Sequence, residues 1–289
     1  MLKWARQGVV ILELQTDLII LLISVVAGFI GSLLGLGGGL IVIPALTLVL
    51  GIPIHEAIGA SIISVIATSS GTAIAYVRDR ITNIRIGMFL EIATTLGAVT
   101  GAFIGGLLSM KVLYIVFGCL LIYSAANMLR RRHSELPKDV IEHPMAGRLH
   151  LSGAYYDKIL RQAVSYKVAG VYPGWIVMYI AGILSGLLGI GGGAFKVLGM
   201  DMFMKLPMKV STATSNFMMG VTAAASAGVY FSRGDINPSI AGPLAVGVLI
   251  GAWLGTQIME KLRSKTLRLI FVPVLFYIAL QMLWKGWWL

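Results

Sequence analysis

Charge is scarce in this chain. Asp, Glu, Lys and Arg make up 12% of its 289 residues, about half the share of a soluble domain. Hydrophobic residues reach 57% and the mean hydropathy is +0.88, so the deficit excludes an ordinary soluble domain and predicts a polytopic membrane protein. Cysteine is nearly absent as well. The single Cys119 excludes an intrachain disulfide and a cysteine-built metal site; it lies in an apolar run and reads as a small core residue. There are four histidines, no H-E-x-x-H, no G-K-[ST] and no assembly of nucleophile, base and acid to argue for. We therefore expect no enzyme, no cofactor and no metal. Acidic residues are few, 12 against 23 Lys and Arg, giving a formal charge of +11. The basic residues stand between apolar runs, where they set topology and meet anionic lipid heads, so a nucleic-acid partner is not expected.

Glycine, by contrast, is plentiful, and it is concentrated. Residues 31–39 read Gly-Ser-Leu-Leu-Gly-Leu-Gly-Gly-Gly, and residues 185–193 read Ser-Gly-Leu-Leu-Gly-Ile-Gly-Gly-Gly. Each lies between apolar runs. Adjacent glycines weaken a helix by roughly 1 kcal/mol each, and broken helix at membrane depth survives only where protein or a watery cavity covers it. Paired breaks in matching positions of two halves are a pointer to a transporter's binding site. Gly189 to Ala194 also fits a loose G-x-G-x-x-A pattern, but no strand precedes it, so dinucleotide binding fails on context.

Apolar segments fall at about 18–34, 40–50, 54–77, 86–108 and 112–129, then at 173–188, 194–204, 208–232, 239–260 and 267–284. A span needs about 20 residues, so 40–50 and 194–204 are too short to cross upright. Each is expected to form a hairpin with the helix before it, as a re-entrant pair or as two short crossings. The halves align without a gap at an offset of 154: Gly37-Gly38-Gly39 on Gly191-Gly192-Gly193, Pro53 on Pro207, Ser61 on Ser215, Thr68 on Thr222, Tyr76 on Tyr230, Asn83 on Asn237. Five segments per half make the halves point opposite ways. Inversion gathers most Lys and Arg on one side: Arg78, Arg80, Arg85, Lys205, Lys209, the run Lys261 to Arg268 and the central stretch. The expected fold is thus an all-α polytopic membrane protein of two inverted five-segment repeats, each opened by a Gly-broken hairpin. Its parts are an N-terminal segment (1–17), a first repeat (18–129), a cytoplasmic linker (130–172) and a second repeat (173–289), with both termini outside. In the linker, Tyr155, Tyr156, Ile159 and Leu160 suggest a short amphipathic helix on the membrane surface.

Candidate site residues cluster around the breaks. Gly37, Gly38, Gly39, Gly191, Gly192 and Gly193 free backbone N–H groups, and helices starting at Gly39 and Gly193 would point positive dipole ends inward. Ser61, Ser64, Thr68 and Thr72 share one helix face, echoed by Ser211, Ser215, Thr222 and Ser226 with Asn216 beside them. Such hydroxyls either bond to neighbouring helices or line a polar path; together with an amide and free N–H groups they suit an oxyanion. Three ionisable residues fall inside spans: Glu91, Lys196 and Asp201. Lys196 could meet an anionic substrate, pair with Asp201 or snorkel to the interface. Glu91 could couple a proton or neighbour Arg85, and Asp201 is a second candidate for ion coupling. The run Ala93, Gly97, Gly101, Gly105, echoed by Gly247, Gly251 and Gly255, reads as close helix packing or as a sliding surface.

The doubled G-x-G-G-G hairpin, the Pro-then-Ser/Thr helix after it, and the plan of apolar half, polar linker and apolar half resemble the TauE/SafE family of sulfite exporters. The likeness covers nearly all of the chain beyond residue 17. It implies export of sulfite, a sulfonate such as sulfoacetate, or a related small anion across a prokaryotic cytoplasmic membrane. The partners implied are that anion and the lipid bilayer, and no oligomeric state follows. The second copy holds Lys196 and Met218 where the first has Val42 and Ser64, so a shared site would be asymmetric.

Overall fold

The computed structural model describes residues 2–34, 37–130, 140–157, 161–259 and 264–289. Expectations resting on Gly35, Arg131 to His133, Pro137, Ile159, Leu160, Lys261 and Arg263 lie outside these. The chain runs α1 (Leu2–Leu34), α2 (Gly39–Pro44), a π-helical turn (Ala45–Val49), α3 (Ile54–Arg78), α4 (Ile84–Leu107) and α5 (Met110–Arg130). The linker supplies α6 (Pro144–Arg148), β1 (Gly153–Asp157) and β2 (Gln162–Tyr166). The second half follows with α7 (Val171–Leu188), α8 (Gly193–Met202), α9 (Met208–Ser232), α10 (Pro238–Met259) and α11 (Ser264–Trp288). Among the described residues α3, α4, α7 and α10 are long and apolar enough to cross a membrane. Both Gly clusters do interrupt helix, with new helices starting at Gly39 and Gly193 as expected.

Two helices stand at the centre, α3 and α9, and they pack on each other. Helix α9 is too rich in Ser, Thr and Asn to face lipid, and the fold resolves this by burying Ser211, Thr212, Thr214, Ser215, Asn216, Thr222 and Ser226. Around this pair the packing repeats itself. The α1 helix lies on α10 and α7 on α4; α10 lies on α3 and α4 on α9. Every one of these pairs maps onto another when positions shift by 154. The small-residue stripes make it possible: a Cβ at Gly97 or Gly101 would collide with the carbonyl of Tyr179 or Ile183 on α7, and one at Gly251 with that of Val25 on α1. These stripes are packing surfaces, where van der Waals contact replaces the hydrophobic effect that lipid cannot supply.

Tyrosines repeat the symmetry at the level of single bonds. The Tyr76 hydroxyl donates to the Ser32 carbonyl at 3.2 Å, and its counterpart Tyr230 donates to the Gly186 carbonyl at 2.8 Å. Each fastens the last turns of the helix that leads into a Gly cluster. Asn83 caps α4 by accepting from Ile86 N, and Asn237 accepts from Ser239 N at the start of α10.

Two expectations need correction. The stretch at Tyr155 and Tyr156 is no amphipathic helix but an antiparallel β-hairpin, with Tyr155 opposite Val164 and Tyr156 opposite Ala163. Burial alternates there, Tyr155 in, Tyr156 out, Asp157 in, which is the period of a strand. The fold is therefore not purely α. Cys119, expected in the core, is exposed on α5. Residues 2–17 are helical and run on into the apolar part of α1.

The hairpin and α6 cap one end of the bundle. Ala146 and Leu151 are buried with Val168, Val171, Met200, Met204 and Leu206, which joins the linker to α7 and to the end of α8. Asn83 Nδ2 donates to the Leu151 carbonyl (2.7 Å) and to the Tyr166 hydroxyl (2.8 Å), and Lys209 pairs with buried Asp157 at 2.9 Å. Burial pushes the Tyr166 phenol above its ordinary range, opposed by the bond from Asn83. At the other end Gly59 meets the backbone of Asp235, Arg233 pairs with Asp235 at 2.9 Å, and Arg233 Nη1 donates to the Ala102 carbonyl.

Candidate functional site

The two Gly clusters meet. Gly37 and Gly191, counterparts at the 154 offset, both lie against Val65 of α3 and Met219 of α9, which are themselves counterparts. Gly37, Gly38, Gly191 and Gly192 have φ between 65° and 75°, a region that side chains with a Cβ rarely enter. Gly38 sits beside Thr68 and the Ala27 carbonyl, Gly39 beside Ser61 and the Gly189 carbonyl, Gly192 beside Ser185. The hairpin α7–α8 closes on itself at the capped end, where Ala169 N donates to the Met204 carbonyl at 3.1 Å. With α8 only 10 residues long, about 15 Å of rise, its return leg covers roughly half a bilayer core.

The hydroxyl stripe on α3 spends most of its donors on its own helix. Ser64 donates to the Ser61 carbonyl and Thr68 to the Ser64 carbonyl, both at 2.8 Å. Ser61 instead crosses to the other half, donating to the Gly189 carbonyl at 2.8 Å, and Ser215 reaches the Gly193 carbonyl at 3.3 Å. These two therefore hold the second break in place. Ser69, which the stripe pattern omits, bridges α3 and α9: its hydroxyl donates to the Asn216 carbonyl and accepts from Gly220 N.

The charged part of the site lies beside the second cluster. Lys196, one turn into α8, is fully buried, and its ammonium donates to the Thr222 hydroxyl of α9. That hydroxyl donates to Glu91 Oε1 of α4 at 2.7 Å, and Thr95 adds a bond to the same oxygen at 3.0 Å. Thr94 stands 3.4 Å from the Thr222 hydroxyl. Lys196 thus faces Glu91 through one hydroxyl, and Glu91 is the carboxylate whose charge acts on it. Asp201, the acidic neighbour considered from sequence, lies farther along α8. Arg85, the other candidate neighbour of Glu91, turns away to the His150 carbonyl at 3.3 Å. Burying either charge alone would cost several kcal/mol; facing each other, the two form a neutral unit.

Several polar atoms on the helices that form this unit are buried without a hydrogen-bond partner: Glu91 Oε2 in the unit itself, Ser185 Oγ beside Gly192, and Asn216 Oδ1 and Ser211 Oγ farther along α9. Each such atom costs about 1–3 kcal/mol if nothing else satisfies it. Helices α4, α7 and α9 contribute them. The Ser185 hydroxyl and the remaining ammonium protons are donors available to a small anion, whereas Glu91 Oε2 is an acceptor that suits a proton. Sequence reasoning singled out Lys196, Glu91, Thr222 and Asn216, with Ser211 in the hydroxyl stripe, but assigned no site role to Ser69, Ser185, Thr94 or Thr95. Ser185 had a signal: it is the first residue of the second Gly motif.

Comparison with known proteins fits this geometry. The family described as "Sulfite exporter TauE/SafE" matches residues 20–282. The chain is similar to "Probable membrane transporter protein YunE" of Bacillus subtilis (strain 168), 26% identical over 275 residues, 93% of this chain and 97% of that protein. It is similar to "Probable membrane transporter protein MJ0441" of Methanocaldococcus jannaschii, 25% identical over 280 residues, 92% of this chain and 94% of that one. A shorter likeness, 31% over 121 residues, links it to "Sulfite exporter TauE/SafE family protein 3" of Arabidopsis thaliana, over 38% of this chain and 25% of that protein. No solved structure matches. The chain, a multi-pass membrane protein, belongs to the TauE/SafE sulfite exporter family of membrane transporters.

Proposed function

We propose that this protein is a secondary transporter that exports a small oxyanion, sulfite or an organosulfonate such as sulfoacetate, by alternating access across a prokaryotic cytoplasmic membrane. The observation that carries the reading is Lys196: a buried ammonium one turn past a helix break, with the unpartnered Ser185 hydroxyl against the same break. Gly191, Gly192 and Gly193, with Ser215 and Thr222, shape its surroundings. Gly37, Gly38, Gly39, Ser61, Ser64 and Thr68 form the facing half, and Asn216 borders both.

The repeats are read as inverted, and the directions of packed helices support this. Along α10, Gly247, Gly251 and Gly255 meet Leu21, Val25 and Phe29 of α1 in the same order, so the two helices run the same way. Gly59 meets Asp235 and Gly71 meets Leu249, which aligns α3 with α10. On the other side α4 runs with α7 (Gly97 at Tyr179, Gly105 at Leu187) and with α9 (Asn83 at Thr214, Glu91 at Thr222). The short turn 79–83 reverses α3 into α4, so each first-half helix opposes its counterpart. The hairpins then enter from opposite ends and meet at the Gly clusters. The capped end carries Arg78, Arg80, Arg85, Lys205 and Lys209 beside the linker, and by the positive-inside rule it is the cytoplasmic one. Both chain ends then lie outside.

Purified protein in liposomes loaded with sulfite tests the reading. Saturable uptake of labelled sulfite by counterflow is expected, and it should be lost in Lys196→Gln. Conductance in a planar bilayer without counterflow would make the protein a channel and refute the carrier.

A further inference from the structure

The buried unit of Lys196, Thr222 and Glu91 has an occupant where an anion would sit. We propose that the ionised carboxylate of Glu91 stands in for the substrate, and that the anion enters as Glu91 takes up a proton, so each anion binds together with one proton. This deepens the anion-transporter reading and rests on it.

The argument starts from charge. One ammonium, Lys196, is buried here, and its hydrogen bonds lead through the Thr222 hydroxyl to Glu91 Oε1. An incoming anion would place a second negative charge beside that carboxylate. Two like charges cannot share one buried counter-ion without leaving one of them uncompensated. Protonation of Glu91 removes the conflict. The proton comes from water and goes to the carboxylate, where Oε2 is buried without a hydrogen-bond partner. The hydroxyls of Thr95 and Thr222 donate to the other oxygen, and they go on donating to it when it is the carbonyl oxygen of an acid protonated at Oε2. The site therefore holds both forms without rebuilding. With a monoanion bound, the loaded unit is neutral, as the empty unit is, and neutrality is what a group crossing a low-dielectric interior needs.

Ionisable groups facing Glu91 are few. Lys196 faces it from α8. Helix α7 offers Tyr179, packed with the same cluster toward the capped end. Helix α9 carries no ionisable residue from Asn216 to Ser226. On α4 itself the nearest charge, Arg85, is engaged with His150. The titration that matters is thus the exchange between Glu91 and Lys196. Proton and anion move in the same direction.

The test measures binding of ³⁵S-labelled sulfite to purified protein between pH 5.5 and 8. Sulfite's own protonation is common to all variants. Relative to Glu91→Gln, the wild type should lose affinity by about tenfold per pH unit once Glu91 is ionised, while Glu91→Gln keeps only the profile that sulfite itself imposes. Calorimetry of the wild type in two buffers of different ionisation enthalpy gives a second reading that needs no variant: one proton taken up per anion beyond sulfite's own share. A proton count of zero, or an unaltered pH profile in Glu91→Gln, overturns the inference. Lys196→Gln separates the two levels. If it binds sulfite as the wild type does, the anion site itself is misassigned; if it loses binding while Glu91→Gln keeps the wild-type profile, only the proton role fails.

Discussion

At the second Gly cluster Lys196, Thr222 and Glu91 close on one another. At the first, the positions offset by 154 hold Val42, Thr68 and Ala245. The backbone is duplicated, down to the positive φ of Gly37 and Gly191 and the tyrosine bonds to Ser32 and Gly186. The charge is not. Val42 is fully buried in an apolar core, and Thr68 spends its hydroxyl on the Ser64 carbonyl. Duplication therefore supplies the frame, two breaks held face to face, while a pair of substitutions on one side supplies the chemistry. Among the described residues, buried charge therefore makes one candidate site, at the second cluster, and none at the first. That site draws on both halves, since Glu91 belongs to the first and Lys196 and Thr222 to the second.

The frame should fail symmetrically. Gly38→Val and Gly192→Val each place a β-branched residue at a φ near 70°, a strain of roughly 1–3 kcal/mol or more, and a Cβ at Gly192 would also press on Ser185. Both variants should reach the membrane yet lose transport by about a hundredfold or more, read as sulfite counterflow. Normal transport in either one would show that its break is not needed.

The chemistry should fail on one side only. Lys196→Gln removes a charged hydrogen bond worth about 1.5–3 kcal/mol, so sulfite affinity should drop roughly 10- to 100-fold. Lys196→Arg should lose less, and Val42→Gln on the apolar side should leave affinity nearly unchanged. A Lys196→Gln protein that binds normally but melts earlier would make the lysine structural.

Transplanting the pair sharpens the contrast. Val42→Lys alone buries an unpaired ammonium and should lower stability by about 3–5 kcal/mol. Adding Ala245→Glu, beside the existing Thr68, should recover part of that loss in thermal unfolding. No recovery would mean that the two sides differ in more than charge.

The tyrosines should show the smallest difference. Tyr230 donates toward two carbonyls, Gly186 at 2.8 Å and Leu187 at 3.0 Å, and stacks under Arg233 at 4.4 Å, whereas Tyr76 reaches the Ser32 carbonyl at the longer 3.2 Å. Removing a buried hydrogen bond costs about 1 kcal/mol, so Tyr230→Phe should lower the melting temperature by a few degrees and Tyr76→Phe by less.

Much of the frame was legible because it is one-dimensional. Apolar runs, Gly breaks and the 154-residue register are patterns along the chain, and they gave the helix order, the short return helices and the starts at Gly39 and Gly193. The linker hairpin was not legible, because Tyr155, Tyr156 and Asp157 alternate in burial but not in residue type. Cys119 was misjudged because in a membrane protein the outward face is as apolar as the core, so composition does not tell inside from outside.

Sequence by itself determined that this is a duplicated, Gly-broken membrane protein with three ionisable residues inside its spans. It could not say which of them meet. Lys196 had Asp201 close by in the chain and Glu91 in the other half, and a helix carries neighbours in sequence to different faces. Only the packing of α4 and α8 against α9 brought Glu91 to Lys196 through Thr222. The same packing turned Ser69 from an unremarked residue into the bridge between the two central helices, because long-range contacts are fixed by how helices cross and not by spacing along them.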